Sequence, residues 1–264
     1  MGYAQSSNKS SAGIKIAVIV ITAVLYTIGK WITAFIPTPW GVGELLVGIF
    51  LPAYMAVTCD TLPVAIGAGL GTFVGDFFVQ TNLTLSLTAG VPANFLAFLL
   101  FGWFVKRYKS WPSFVAATVI FFSLGNLVAA ILVFLFIGST VGGSLPSSAI
   151  MGLTIFWNTT SIPAILIGVP ILVRATRPLY GRTKLLTNFP QWPSSIGTKG
   201  YLTAIAFAVA YTALGAVVFF LQPDSVSVSP GLAYFVFGAL LVVVFGSVSS
   251  LLAGASRPAK SATG

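Results

Sequence analysis

The chain has 264 residues; 57% of them are hydrophobic, only 6% are charged, and the formal net charge is +9. Because a soluble domain carries about 25% charged residues, this composition excludes a water-soluble globular protein and indicates one embedded in a membrane. The absence of His and the single cysteine, Cys59, exclude His-based catalysis, His metal sites and an intramolecular disulfide. With four acidic residues in all, we expect no metal site, no cofactor and no enzymatic activity.

Eight apolar segments follow one another along the chain. Because their apolar runs are continuous rather than alternating, they predict an all-α polytopic membrane protein and not a β-barrel. The predicted segments are 14–36, 45–58, 63–79, 88–105, 113–138, 149–173, 201–221 and 231–255. The second is short, so it either crosses the membrane thinly or is re-entrant with the third. The chain divides into a polar tail (1–13), a six-helix substrate-binding membrane domain (14–177), a basic loop (178–199), a C-terminal helix pair (200–256) and a second polar tail (257–264).

The basic residues are distributed asymmetrically between the predicted loops. If the segments alternate in direction, all of the 13 Lys and Arg residues except Lys30 fall on one side of the membrane. By the positive-inside rule that side is the cytoplasm. We therefore expect a multi-pass protein of the cell membrane with both termini and the loop 178–199 in the cytoplasm. The asymmetry accounts for the net positive charge without a nucleic-acid partner.

The third segment carries a stripe of small residues. Gly67, Gly71 and Gly75 are spaced four residues apart, so they share one face of a helix. In an apolar segment such a stripe lets another helix approach closely. Asp76, one of the four acids, follows the stripe. Either the stripe is a packing seam with an acid in the headgroup layer, or this helix is the central helix of a transport protein.

Polar and aromatic residues that recur in the predicted spans and the first outer loop form a candidate substrate site. Polar groups inside membrane helices tend to line cavities or helix contacts, and binding pockets combine apolar walls with a few such groups. The candidates are Lys30, Trp31, Trp40, Glu44, Asn94, Asn126, Trp157, Asn158 and Thr159. The alternatives stay open: each Asn either binds a ligand or joins two helices. Lys30 either meets an anionic ligand group, snorkels to the headgroups, or pairs with Glu44 or Asp76.

Five stretches of residues 14–177 resemble the substrate-binding S component of energy-coupling-factor (ECF) vitamin transporters. They are GELLVGIFLPAYMAV, GAGLGTFVGD, VPANFLAFLLFGWFVKR, FFSLGNLVAAI and FWNTTSIPAILIGVPILVR. The resemblance implies six helices that bind a vitamin or related micronutrient near the outer surface. It also implies two kinds of partner, a membrane coupling protein and cytoplasmic ATPases. Asn94, Asn126 and Asn158 fall in helices that supply ligand contacts in the family.

The family's first helix often carries an Ala-x-x-x-Ala motif for its membrane partner, and this chain matches it only in part. Ala17 is followed by Ile21 at that spacing and preceded by Gly13. We expect helix packing or partner docking on a small-residue surface made by Gly13, Ala17, Gly67, Gly71 and Gly75. The last two predicted helices exceed the six-helix pattern.

The function expected is therefore a membrane-embedded binding subunit for uptake of a micronutrient. ATP hydrolysis would belong to a partner, since the chain has no GxxxxGKS/T phosphate loop. One alternative is a structural or assembly membrane protein whose amides only join helices. Another is an intramembrane enzyme, which would need a nucleophile or an acid–base pair facing a cavity. Lys30 points weakly to a ligand carboxylate or phosphate, and the Trp residues point to a ring.

Overall fold

The computed structural model describes residues 3–34, 38, 42–79, 82–140, 148–180, 182–188 and 190. The predicted C-terminal helix pair and the second polar tail lie outside these residues. The helices are α1 (Tyr3–Thr33), α2 (Phe50–Thr58), α3 (Thr61–Val79), α4 (Leu83–Tyr108), α5 (Trp111–Thr140) and α6 (Ser148–Thr176). Single 3₁₀ turns precede α2 (Val47–Ile49) and follow α6 (Arg177–Leu179). A π-helical turn, Ser86–Gly90, lies near the start of α4.

Five of the described helices, all except α2, are long and apolar enough to cross a membrane. Over the described residues, this confirms the all-α architecture and the multi-pass membrane character predicted from composition. The helix α1 already begins at Tyr3, inside the segment predicted as a polar tail, although its apolar span is Ala12–Thr33. The helix therefore continues beyond the part that lipid would cover.

The first and third helices run parallel, in contact along the glycine stripe. A Cβ atom added to Gly67 would lie 2.6 Å from the Ile19 carbonyl oxygen, and one added to Gly71 would lie 2.7 Å from that of Ala23. One added to Gly75 would lie 2.9 Å from the Lys30 side chain. Residue numbers increase along both helices from one contact to the next, which shows that the helices are parallel. The stripe is therefore an internal packing contact between α1 and α3.

The short second segment returns the chain between these parallel helices. Its 12 residues, Val47–Thr58, extend about 18 Å as a helix, which is less than the ~30 Å hydrocarbon core. Every residue from Pro52 to Thr58 is buried, because α2 packs against α1, α3, α4 and α6. The segment is therefore a core element enclosed by the longer helices.

A glycine pair brings this return segment against α1. A Cβ atom on Gly29 would lie 2.9 Å from the Gly48 Cα atom, so neither position has space for a side chain. The contact fixes the start of the return segment at the level of the last turn of α1. Thr33 strengthens it by donating a hydrogen bond of 2.7 Å from its hydroxyl to the Leu45 carbonyl.

The described charges divide between the two ends of the bundle. At one end, Lys106 near the end of α4 donates hydrogen bonds to the Cys59 carbonyl and, at 2.8 Å, to the Thr61 hydroxyl. Arg107 and Arg174 lie in the last turns of α4 and α6 at this end. The basic residues that follow these helices in sequence are Lys109, Arg177, Arg182 and Lys184. We call this end of the bundle the basic end. At the opposite end are Lys30, Glu44 and Asp76, beside an open cavity.

Candidate functional site

A cavity opens between the helices at the end of the bundle opposite the basic end. Its empty volume, including the open mouth, is about 620 Å³. All five long helices and the segment before α2 contribute to its walls. The polar lining residues are Lys30, Glu44, Thr72, Asp76, Ser86, Asn94 and Asn126, and the aromatic ones are Phe122 and Trp157. The remaining wall is made of small and aliphatic side chains, so the cavity joins an apolar surface to a few polar groups.

Three buried charges lie together on one wall. Lys30 forms ion pairs with Glu44 and, at 2.8 Å, with Asp76. The side chains of all three are at most 6% exposed. Ser86, in the π turn of α4, donates a hydrogen bond of 2.5 Å to the other oxygen of Asp76. We call Lys30, Glu44 and Asp76 the charged triad. It ties α1, α3 and the segment before α2 together beside the cavity.

The first amide of the wall is held by hydrogen bonds at both its ends. The Tyr26 hydroxyl donates to the Asn94 oxygen at 3.2 Å, and the Asn94 nitrogen donates to the Gly90 carbonyl at 3.0 Å. Gly90 is the last residue of the π turn, and its carbonyl lies one helical turn before Asn94. Asn94 is thus fixed in orientation where it lines the cavity.

The second amide belongs to a pair that joins α5 to α6. The Asn126 nitrogen donates to the Asn158 oxygen at 2.8 Å and lies 3.4 Å from the Ser161 hydroxyl. Asn126 lines the cavity. Asn158 is not among the described residues that line the cavity. It accepts a hydrogen bond from Asn126 and so helps to fix the orientation of that side chain. Both amides were predicted from the sequence to contact a ligand; of the two, Asn126 lines the cavity.

An aromatic wall faces the segment that precedes α2. Gly43 has a φ angle of +78°, and a Cβ atom there would lie 2.8 Å from the Trp157 ring. Both the backbone conformation and the ring contact therefore require glycine. Leu46 donates a backbone hydrogen bond of 3.3 Å to the Thr160 hydroxyl. These contacts hold the segment that carries Glu44 against α6.

Besides Asn158, two expected site residues lie away from the cavity. Trp31 is 66% exposed on the outer face of α1, because one residue along a helix turns a side chain about 100° away from its neighbour Lys30. Thr159 is buried, and its hydroxyl donates at 2.7 Å to the carbonyl of Ile155 on its own helix. Trp40 lies outside the described residues. Of the candidates, the cavity brings together Lys30, Glu44, Asn94, Asn126 and Trp157.

The list of site residues predicted from the sequence omitted Asp76, Ser86 and Phe122. Asp76 could have been predicted as a site residue from the sequence, since it is one of only four acids and directly follows the glycine stripe. Its partner Lys30 lies well inside a predicted span, whereas Lys15 is at the very start of the same span. Ser86 and Phe122 carry no comparable signal, because serine and phenylalanine are common in membrane helices. Only the π turn and the direction of α5 bring them to the cavity.

Cys59 lies at the basic end between α2 and α3 and is fully buried. Burial raises the pKa of its thiol, which leaves less of the reactive thiolate at neutral pH. The thiol also lies 3.8 Å from the Thr58 hydroxyl. These surroundings favour a packing role for Cys59.

No family model, no curated protein and no solved structure matches the chain. The geometry of the cavity therefore carries the functional argument. Two fixed amides, a buried charged triad and two aromatic rings line one open space. That combination can orient a small polar molecule by hydrogen bonds while aromatic rings contact its apolar part.

Proposed function

We propose that the protein is a membrane-embedded substrate-binding subunit for uptake of a vitamin or similar small micronutrient. The observation that carries this proposal is the open cavity in which Asn94, Asn126 and Trp157 lie beside the charged triad. Charged groups inside membrane proteins are costly and tend to mark substrate or ion pathways. The resemblance of residues 14–177 to ECF S components supports the same function. In this proposal the subunit binds its substrate and catalyses no reaction.

The distribution of charge supports an orientation suited to uptake. The basic end would face the cytoplasm by the positive-inside rule. Both termini and the loop 178–199 would then be cytoplasmic in the cell membrane. The cavity opens at the opposite end, so it would collect its ligand from outside.

Energy for uptake would come from a separate module, made of a membrane coupling protein and cytoplasmic ATPases. The chain has no phosphate loop. The glycine stripe does not serve as the docking surface, because α1 covers it. The face of α1 that carries Gly13, Ala17 and Ile21 would instead be the docking surface for the coupling protein. Gly13 has open space around it, and Ile21 is exposed. Small residues there would allow the close helix approach that membrane partners need.

Equilibrium binding with the purified full-length protein tests the proposal. A panel of water-soluble vitamins and their precursors is titrated in lipid nanodiscs, and saturable binding at one site per chain is expected. Asn126→Leu should weaken that binding. A matched control is Asn188→Leu at the basic end, which should leave affinity unchanged. Absence of saturable binding across the panel would refute the proposal.

A structural or assembly protein without a ligand is the second candidate, and one observation favours it. Lys30, Asn94 and Asn126 each already have partners inside the protein. Polar groups of a purely structural protein would show such interhelical bonds. The same titration separates the two functions, because a structural protein would bind no member of the panel.

A further inference from the structure

The charged triad carries a surplus of negative charge. Glu44 and Asp76 share the single ammonium group of Lys30. The formal charges of the three groups therefore sum to −1. In sequence, residues 35–41, 80–81 and 141–147 contain no charged residue. The other described Lys and Arg side chains belong to the basic end or to the start of α1. One wall of the cavity is therefore formally anionic.

Lys30 is poorly suited to receive an anionic ligand. Its ammonium group already lies against two carboxylates. An incoming carboxylate or phosphate would have to displace one of these partners and would meet the second at close range. Like charges in a low-dielectric site repel strongly. The expectation from sequence, that Lys30 points to an anionic group, therefore conflicts with the geometry.

The rest of the lining suits an organic cation. Trp157 and Phe122 belong to the same cavity as the triad, and aromatic faces attract positively charged groups. Asn94 and Asn126 supply amide groups for hydrogen bonds to the ligand's polar substituents. A cation bound there would balance the net negative charge of the triad, which reduces the cost of keeping that charge away from water.

We infer that the ligand of this cavity carries a positive charge, such as a quaternary or protonated nitrogen on a ring or short chain. The inference rests on the proposed function and names the substrate class of the same site. The carboxylates of Glu44 and Asp76 recognise the charge, and Trp157 contacts the ring. Lys30 is a positioning residue that holds the two carboxylates together.

The test is a titration of the purified full-length protein in nanodiscs with compounds grouped by charge. To the panel of soluble vitamins we add a matched trio that shares one ring: 1-methylnicotinamide is a cation, nicotinamide is neutral and nicotinate is an anion. The tightest saturable ligand of the panel should be a cation. Within the trio the cation should exceed the neutral compound by about tenfold in affinity, the effect of one charge-assisted contact.

Two variants locate the effect. Asp76→Asn and Glu44→Gln each remove the surplus charge while keeping a side chain that accepts hydrogen bonds, and either should reduce cation affinity by about tenfold. Asp60→Asn removes the same charge at the basic end and should leave affinity unchanged. If one triad variant fails to fold, the other still provides the comparison.

The outcomes separate this inference from the proposed function. Saturable binding with a neutral or anionic compound as the tightest ligand would overturn the cation inference and leave the binding function intact. Cation binding that both triad variants retain at full affinity would also overturn it. No saturable binding by any compound would refute both.

Discussion

At the residue scale, the Asn126–Asn158 hydrogen bond combines two roles that mutations can separate. Asn126 lines the cavity, whereas Asn158 holds it from behind at 2.8 Å. We expect Asn126→Leu to weaken ligand binding by about 1–3 kcal/mol, the cost of leaving a buried polar partner unpaired. Asn158→Leu should have a smaller effect, because Asn126 keeps Ser161 as a neighbour.

Equilibrium titration of both variants measures this difference. Each variant is first compared with the native protein by thermal unfolding, since leucine is favourable in a membrane helix and folding should survive. A larger loss of affinity in Asn158→Leu than in Asn126→Leu would contradict the assignment of the wall position to Asn126.

The thiol of Cys59 provides a pH-dependent prediction at the same scale. Because burial raises its pKa, less thiolate is present at a given pH, and alkylation should be slower than for an exposed cysteine. The rate should still rise steeply above about pH 9, where an ordinary thiol with a pKa near 8.5 is already mostly thiolate and approaches saturation. Maleimide labelling followed by mass spectrometry measures it. A rate in the folded protein equal to that in detergent-denatured protein would show that the thiol is accessible.

At the element scale, the contact between α1 and α3 depends on the absence of side chains along the stripe. A Cβ atom on Gly71 would meet the Ala23 carbonyl at 2.7 Å and the Tyr26 Cβ atom at 2.9 Å. We expect Gly71→Leu to separate the helices and to cost at least the 1–3 kcal/mol or so typical of overpacking. Thermal unfolding in mild detergent measures the loss of stability.

Gly13→Leu is the matched control for this change. It introduces the same side chain on α1, where nothing lies within 4 Å of the added Cβ atom, so its unfolding profile should stay native. If the unfolding profile of Gly71→Leu were also unchanged, that result would contradict the close contact between α1 and α3.

The elements also show which parts of the fold the sequence could predict. Long apolar runs identified the five spanning helices to within a few residues at most ends, because lipid selects for hydrophobic length regardless of tertiary contacts. The spacing of Gly67, Gly71 and Gly75 predicted a close helix contact but not its partner. The fate of the second segment could not be predicted, since a buried core helix and a thin span have the same apolar composition.

The cavity was predictable only in part, for a geometric reason. Lys30, Asn94 and Asn126 could be selected because polar side chains inside spans are unusual. Glu44 could be selected as an acid in the first outer loop, and Trp157 as the neighbour of Asn158. Which face of each helix points toward the cavity depends on helix packing. The packing of α1 leaves Trp31 exposed on the face away from the cavity. The mutual pairing of Lys30, Glu44 and Asp76 needs three segments in register, which sequence spacing does not specify.

At the scale of the whole molecule, the orientation in the membrane is the simplest prediction to check. Lys184→Cys places a thiol on an exposed position at the basic end, and the buried native Cys59 should contribute little background. We expect a membrane-impermeant maleimide to label it only after the cells are permeabilised, because the basic end should face the cytoplasm. Labelling of intact cells would show that the orientation is the opposite one, with the cavity mouth facing the cytoplasm.

The central claim is that the cavity holds a small molecule, and native mass spectrometry of the gently purified full-length protein tests it most directly. The method needs no prior choice of ligand. We predict an additional mass that corresponds to one small molecule per chain, retained in Asn188→Leu and lost or reduced in Asn126→Leu. If the protein carries no such mass and remains bare after incubation with the vitamin panel, or if Asn126→Leu retains the ligand fully, the cavity is not the binding site.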